Sequence, residues 1–173
     1  MCISAGYILS GKHAAWLWLS IIGYFINWFG DSLDGSLARF RKTERPKFGY
    51  FIDHSADSLG NLGIMIGLGA SPYLRLDVTL FGAAAYLLLS IHTFLAARVV
   101  NEFRLSYLSG GPTELRIFLI AMSLMMLWIG PGDVSGTRLS PFDLVIGCLG
   151  IGLIVLFVIQ TFRTARHLYR LER

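Results

Sequence analysis

The stretch PFDLVIGCLGIGLIVLFVIQTF, residues Pro141 to Phe162, carries a single charged side chain, Asp143, at its very start. Wound as a helix at ~1.5 Å per residue, a run of this length crosses the ~30 Å hydrocarbon layer of a bilayer. Four more apolar stretches lie upstream, from about Ala14 to Gly30, about Asp57 to Ala70, Val78 to Ala97 and about Leu115 to Gly130. The whole chain agrees with them: of 173 residues, 54% are hydrophobic and 15% charged, where a soluble domain averages about 25% charged. The expectation is an all-α integral membrane protein, a helical bundle of five predicted spans forming one domain over residues 1–173. No linker or internal repeat divides it, and Cys2 and Cys148 stand too far apart in apolar surroundings to imply a disulfide framework.

The net charge of +4 is a matter of topology. Arg39, Arg41, Lys42, Arg45 and Lys47 separate the first two stretches; Arg98, Arg104 and Arg116 fall between the third and fourth; Arg163, Arg166, Arg170 and Arg173 follow the fifth. Only Lys12, Arg75 and Arg138 lie on the other side. The positive-inside rule then places both basic loops and the basic tail 163–173 in the cytoplasm and the N-terminus outside. No aromatic-basic platform accompanies the charge, so nucleic acid is not an expected partner. Local signals mark helix starts: Ser140-Pro141-Phe142-Asp143 reads as a capping box with proline at the first helical position, and Asp77 and Thr113 are expected caps of the third and fourth spans. Gly63 and Gly67 form a small-xxx-small packing face, and His92 is expected to act as a satisfied interhelical donor.

Four of the seven aspartates crowd between residues 31 and 57. Asp31 and Asp34 are three apart, Asp53 and Asp57 four apart, so each pair occupies one face of its own helix. Ionisable groups at a membrane boundary are costly and functional by default. Four carboxylates facing a shared cleft repel unless cations lie between them, and a set of oxygen ligands favours Mg²⁺ or Mn²⁺. Gly35 leaves the helix backbone open to a ligand, Ala38 keeps the same face clear one turn on, and Arg39 offers a fork of donors suited to phosphate oxygens. Gly49 opens the second helix four residues before Asp53.

Written out, Asp31-Ser-Leu-Asp34-Gly35-Ser-Leu-Ala38-Arg39 followed by Gly49-Tyr-Phe-Ile-Asp53-His-Ser-Ala-Asp57 resembles the signature of the CDP-alcohol phosphotransferases, DxxDGxxAR and then GxxxDxxxD, with all eight fixed positions filled. The resemblance implies a six-helix membrane enzyme, commonly a homodimer, that moves a substituted phosphate from a CDP-linked donor to an alcohol and releases CMP, in phospholipid biosynthesis. Against that pattern, residues 1–11 look like the remnant of a truncated first helix.

The resemblance further implies two metal ions, Mg²⁺ or Mn²⁺, held by Asp31, Asp34, Asp53 and Asp57, with Asp57 also the base that takes the acceptor's proton. Asp31, Asp34, Gly35, Ala38, Arg39 and Gly49 would bind the donor nucleotide and its phosphates. His54, Arg98, Arg104, Glu114 and Arg116 are candidates for contact with an alcohol or lipid acceptor. The expected setting is a bacterial inner membrane, with the active site facing the cytoplasm. The run Asp53-His54-Ser55-Ala56-Asp57-Ser58 is similar to the DHxxDS form of ethanolamine- and choline-phosphotransferases, whose acceptor is diacylglycerol. Two other classes use similar residues. An aspartate-rich prenyltransferase needs two separated motifs and finds one cluster here. A divalent-cation or proton transporter needs acidic residues within several spans, and the last three spans have none at their centres.

The charge asymmetry makes a direct expectation. With Cys2 and Cys148 replaced, cysteines introduced at Ser36 or Ser106 are shielded from an impermeant thiol reagent in intact cells, and one at Ser135 reacts. The reverse pattern of labelling would refute a cytoplasmic site.

Overall fold

The computed structural model describes residues 1–42, 45–100, 112–131 and 139–171; the side chains of residues 34, 35, 38, 39, 100 and 112–114 lie outside that description. The chain folds into α1 (Cys2–Leu9), a 3₁₀ turn (Ala14–Trp16), α2 (Leu17–Phe40), α3 (Pro46–Gly69), α4 (Leu76–Val100), α5 (Pro112–Ile129) and α6 (Pro141–Leu171). Among the described residues there is no strand. α1 lies against α2 and α3, α3 against α4, α4 along α6, and α2 against α5.

Three helices open on proline, at Pro46, Pro112 and Pro141, where the fixed φ suits the first turn and the missing N–H needs no partner. The capping box at α6 forms as expected. The Asp143 amide donates to Ser140 Oγ at 3.0 Å, and the Ser140 amide donates to the Asp143 carboxylate at 2.8 Å. Asp143 also accepts the Arg75 amide at 2.8 Å, and Ser140 Oγ donates to the Tyr73 carbonyl at 2.9 Å, so one cap ties the α3–α4 turn to α6. Asp77 behaves differently from a cap. It sits in the first turn of α4, pairs with Arg75 at 2.7 Å and accepts the Val78 amide at 3.0 Å. The expected cap at Thr113 lies outside the described side chains. α5 closes at Gly130, whose φ of 78° is the left-handed conformation glycine takes without strain, with its amide on the Met126 carbonyl at 3.0 Å.

Among the described residues two helices, Leu76–Val99 and Pro141–Leu171, are long and apolar enough to cross a membrane, and only 22% of the apolar window of each is buried inside the protein. Their remaining apolar surface, with Leu144, Ile151, Val155 and Phe162 on α6 exposed, fits a lipid environment better than a soluble core. Leu115–Ile129 is a shorter apolar helix. α2 and α3, 24 residues each, are long enough at ~1.5 Å per residue, but both give up more than a third of their length to the aspartate motif. The helices therefore outrun the apolar stretches read from the sequence: α2 continues ten residues beyond Gly30 to Phe40, α3 begins at Pro46 rather than near Asp57, and α6 carries the basic segment on to Leu171 as helix.

The short α1 is bound closely for its length. Ser20 Oγ on α2 donates to the Ile3 carbonyl, and Ser4 Oγ donates to the Gly63 carbonyl of α3, each at 2.8 Å. Behind it runs a buried hydroxyl chain. Ser123 Oγ on α5 donates to the Leu119 carbonyl at 2.7 Å, so Tyr7 Oη donates to Ser123 at 2.6 Å and accepts from Tyr24 Oη of α2 at 3.3 Å. Between α4 and α6, His92 meets Thr161 Oγ1 at 3.4 Å through Nδ1. The Thr161 hydroxyl is already donated to the Phe157 carbonyl, so the histidine is the interhelical donor, although the expectation of a fully satisfied histidine is met at Nδ1 alone. Its buried Nε2 has no hydrogen-bond partner among the described residues.

Gly67 is where α1 and α3 touch, as the small-residue face implies: a Cβ there would stand 2.6 Å from Ser4 Cα and 2.9 Å from its carbonyl oxygen. Backbone cannot give way as a flexible side chain can. Gly67→Ala is therefore expected to cost about 1–3 kcal/mol of overpacking, seen as a lower thermal midpoint in detergent. Gly152→Ala, where nothing among the described residues lies within 4 Å, leaves the midpoint unchanged or raises it. Equal midpoints for the two variants would contradict this helix contact.

Candidate active site

The aspartate motif is helical on both sides of its turn. Asp31 to Arg39 form the last turns of α2, and Gly49 to Asp57 the first turns of α3, so the three- and four-residue spacings do place each pair on one helix face. α2 gives way at Phe40, beyond which Lys42 takes a positive φ of 53°, and α3 restarts at Pro46. Serine hydroxyls cap carbonyls of their own helices on either side, Ser36 to Ser32 at 3.0 Å and Ser58 to His54 at 2.8 Å.

Asp31 and Asp53 are exposed and Asp57 is half-buried. Asp31, Arg116, His54 and Asp53 all lie within electrostatic reach of Asp57, so carboxylates from α2 and α3 share one electrostatic neighbourhood. Asp34 belongs to α2 by its backbone, but its side chain and those of Gly35, Ala38 and Arg39 lie outside the described residues. Among the described residues no three carboxylate, imidazole or thiol groups close around a single point. Gly49 keeps the entrance of α3 open, since a Cβ there would meet nothing within 4 Å.

The counter-charge comes from α5. Arg116 Nη2 is ion-paired with Asp31 Oδ2 across a sequence separation of 85 residues. The arginine side chain is 16% exposed and the aspartate 44%, so the pair sits at the boundary between solvent and the bundle. Arg116, expected only as a residue near the acceptor, thus belongs to the carboxylate cluster itself. Of the other candidates for the acceptor, Arg98 is exposed near the end of α4, while Arg104 and the Glu114 side chain lie outside the described residues. His54 is packed between aromatic rings, 4.2 Å from Tyr50 and 5.1 Å from Phe94 by ring centroids. Its place is in the α3–α4 contact, beside Asp57 rather than opposite it.

Two features went unread in the sequence. Tyr86 of α4 lies within electrostatic reach of both Asp57 and Arg116, one more polar group facing the cluster. One to two turns further along α3, a small apolar cavity of about 50 Å³ opens between α3, α4, α5 and α6. Asn61, Met65, Tyr86, Leu115, Phe118 and Ile146 are among its walls. Asn61 is one turn beyond Asp57 on α3, and Leu115 precedes Arg116, so the cavity adjoins the charged cluster. A polar head and an apolar tail could be held side by side.

The family model described as CDP-alcohol phosphatidyltransferase matches residues 1–162, most of the chain. No curated protein and no solved structure gives a match.

Proposed function

The chain belongs to the CDP-alcohol phosphatidyltransferase family, and from that premise we propose that it is an integral membrane enzyme of phospholipid biosynthesis. It transfers a substituted phosphate from a CDP-linked donor to the hydroxyl of an alcohol or lipid acceptor and releases CMP. The observation that carries this reading is the shared neighbourhood of Asp31, Asp57 and Arg116, drawn from α2, α3 and α5, in the register of the motif. Further support comes from the small apolar cavity beside that cluster, an apolar surface that part of a lipid acceptor such as diacylglycerol can contact.

Asp31, Asp34 and Asp53, with Asp57 beside them, would hold Mg²⁺ or Mn²⁺, two ions in all. The donor set fits: hard carboxylate oxygens of like charge, with the neighbouring imidazole of His54 engaged by Tyr50 and Phe94. When bound, the ions supply positive charge for the donor diphosphate and the departing CMP. The chain's own residues do the rest. Arg39 contacts a phosphate, Gly35, Ala38 and Gly49 leave room for the cytidine, and Asp57 takes the proton of the acceptor hydroxyl as oxygen attacks phosphorus. Being half-buried, Asp57 is placed for an acceptor that approaches from the membrane side, while the exposed Asp31 and Asp53 face a nucleotide arriving from water. In this reading the chain is a single domain with five spans, its site faces the cytoplasm of a bacterial inner membrane, its N-terminus lies outside, and two copies form a homodimer. Arg98, Arg104 and Glu114 line the acceptor's approach.

The test is CMP release from a panel of CDP-donors and alcohols by the purified protein. Turnover is expected to vanish with a chelator and return with Mg²⁺ or Mn²⁺. Asp34→Asn should lose donor binding and turnover together. Asp57→Asn should lose at least ~10²-fold in rate, the lower end of what a general base contributes, yet keep much of its affinity for a CDP-alcohol measured by calorimetry. Near-normal turnover of Asp57→Asn, or activity in metal-free buffer, would contradict the mechanism.

A further inference from the structure

Arg116 holds a position that neither donor binding nor proton transfer explains. Its guanidinium is largely withdrawn from solvent, with 16% of the side chain exposed, and it engages Asp31, a carboxylate of the metal site proposed above. It also lies within electrostatic reach of Asp57 and Tyr86. It therefore sits inside the cluster, joining α5 to α2, where it supplies positive charge to a group of carboxylates.

We infer that Arg116 is an exchangeable counter-ion, which holds Asp31 while the divalent cation is away and yields that carboxylate when the cation arrives. The inference rests on the metal-binding reading of the aspartates. Three physical points support it. Like carboxylates from two helices repel, so the cation-free site needs a positive charge to keep α2 in place. A divalent ion on Asp31 would stand beside a guanidinium in a partly buried setting, where screening is weaker than in water. Finally, Arg116 is carried on a flexible stem, so the guanidinium can leave Asp31 without moving α5, and once free its planar fork suits a phosphate. The alternative geometry is a carboxylate shared by both, with Arg116 fixed as a support that orients Asp31 for the metal.

The two arrangements give opposite signs. A formed ion pair lowers the fraction of protein competent to bind metal, and apparent affinity falls by that fraction. Removing the competitor then tightens binding. For the full chain in detergent, titrated with Mn²⁺ and read by the paramagnetic resonance of the free ion, Arg116→Gln is expected to bind about three- to tenfold more tightly than wild type. Arg116→Lys, which keeps the charge without the fork, should fall closer to wild type. In chelator, Arg116→Gln should melt below wild type, and saturating Mn²⁺ should narrow the difference. A readout on the wild-type protein is independent of any folding defect. Modification of Arg116 by phenylglyoxal, followed by mass spectrometry, should be faster with Mn²⁺ than in chelator. Unchanged or weaker Mn²⁺ binding by Arg116→Gln, or modification that Mn²⁺ slows or leaves unchanged, would overturn the exchange. Absence of Mn²⁺ binding by wild type itself would instead overturn the metal-binding reading on which the exchange rests.

Discussion

Mutual repulsion among carboxylates is the constraint around which this end of the bundle is organised. The last turns of α2 and the first turns of α3 carry the aspartates, and the two helices come within electrostatic reach of one another at Asp31, Asp53 and Asp57. Like charges gathered in this way favour a cation between them. Among the described residues the chain brings a cation of its own, Arg116 from α5, and its pairing with Asp31 joins α5 to α2 beside the motif. Breaking a partly buried pair by removing one partner leaves the other charge uncompensated, so the register of α2 against α5 and the charge state of the site are one problem.

The rest of the bundle makes that juxtaposition stiff. α1 has only eight residues, yet it wedges between α2 and α3. Ser20 and Ser4 bond across the two contacts, and Gly67 lets the α1 and α3 backbones meet. The hydroxyl chain from Tyr24 through Tyr7 to Ser123 reaches from α2 across α1 to α5, the helix that carries Arg116. Each such interhelical bond is worth about 0.6–2 kcal/mol in a membrane setting. At the opposite edge the α6 cap holds the α3–α4 turn through Arg75 and Tyr73. The helices around the apolar cavity are thus braced at both edges, and the cavity lies beside the charged site.

Local chemistry was legible in the sequence, and long-range pairing was not. The capping box at Ser140 and Asp143 and the small face at Gly63 and Gly67 depend on residues within a turn or two, so pattern alone carries them. The spacing of Asp31, Asp34, Asp53 and Asp57 implied two helix faces, and both segments are helical. Helix ends were harder. Hydropathy stops at the first charge, so the apolar spans end at Gly30 and begin near Asp57, while the helices themselves, as the aspartate spacing implies, run on to Phe40 and start at Pro46. Asp77 looked like a cap, but Arg75 two residues earlier claims its carboxylate. Nothing near Arg116 in sequence distinguishes it from the other basic residues of its loop region. Its partner lies 85 residues away, and the same is true of Tyr7 with Ser123, separated by 116.

The charged site and the apolar cavity are in contact, and Asp57, Asn61 and Tyr86 stand where the two meet. The central claim is that α2 and α3 contribute to one cation site. The most direct measurement is the number of Mn²⁺ ions bound per chain, counted by paramagnetic resonance, for wild type and for Asp31→Asn and Asp53→Asn separately. The account expects bound Mn²⁺ in wild type and a loss of occupancy from either substitution alone, because each helix supplies ligands to the same ions. Loss from only one of the two, with the other binding as wild type does, would contradict it.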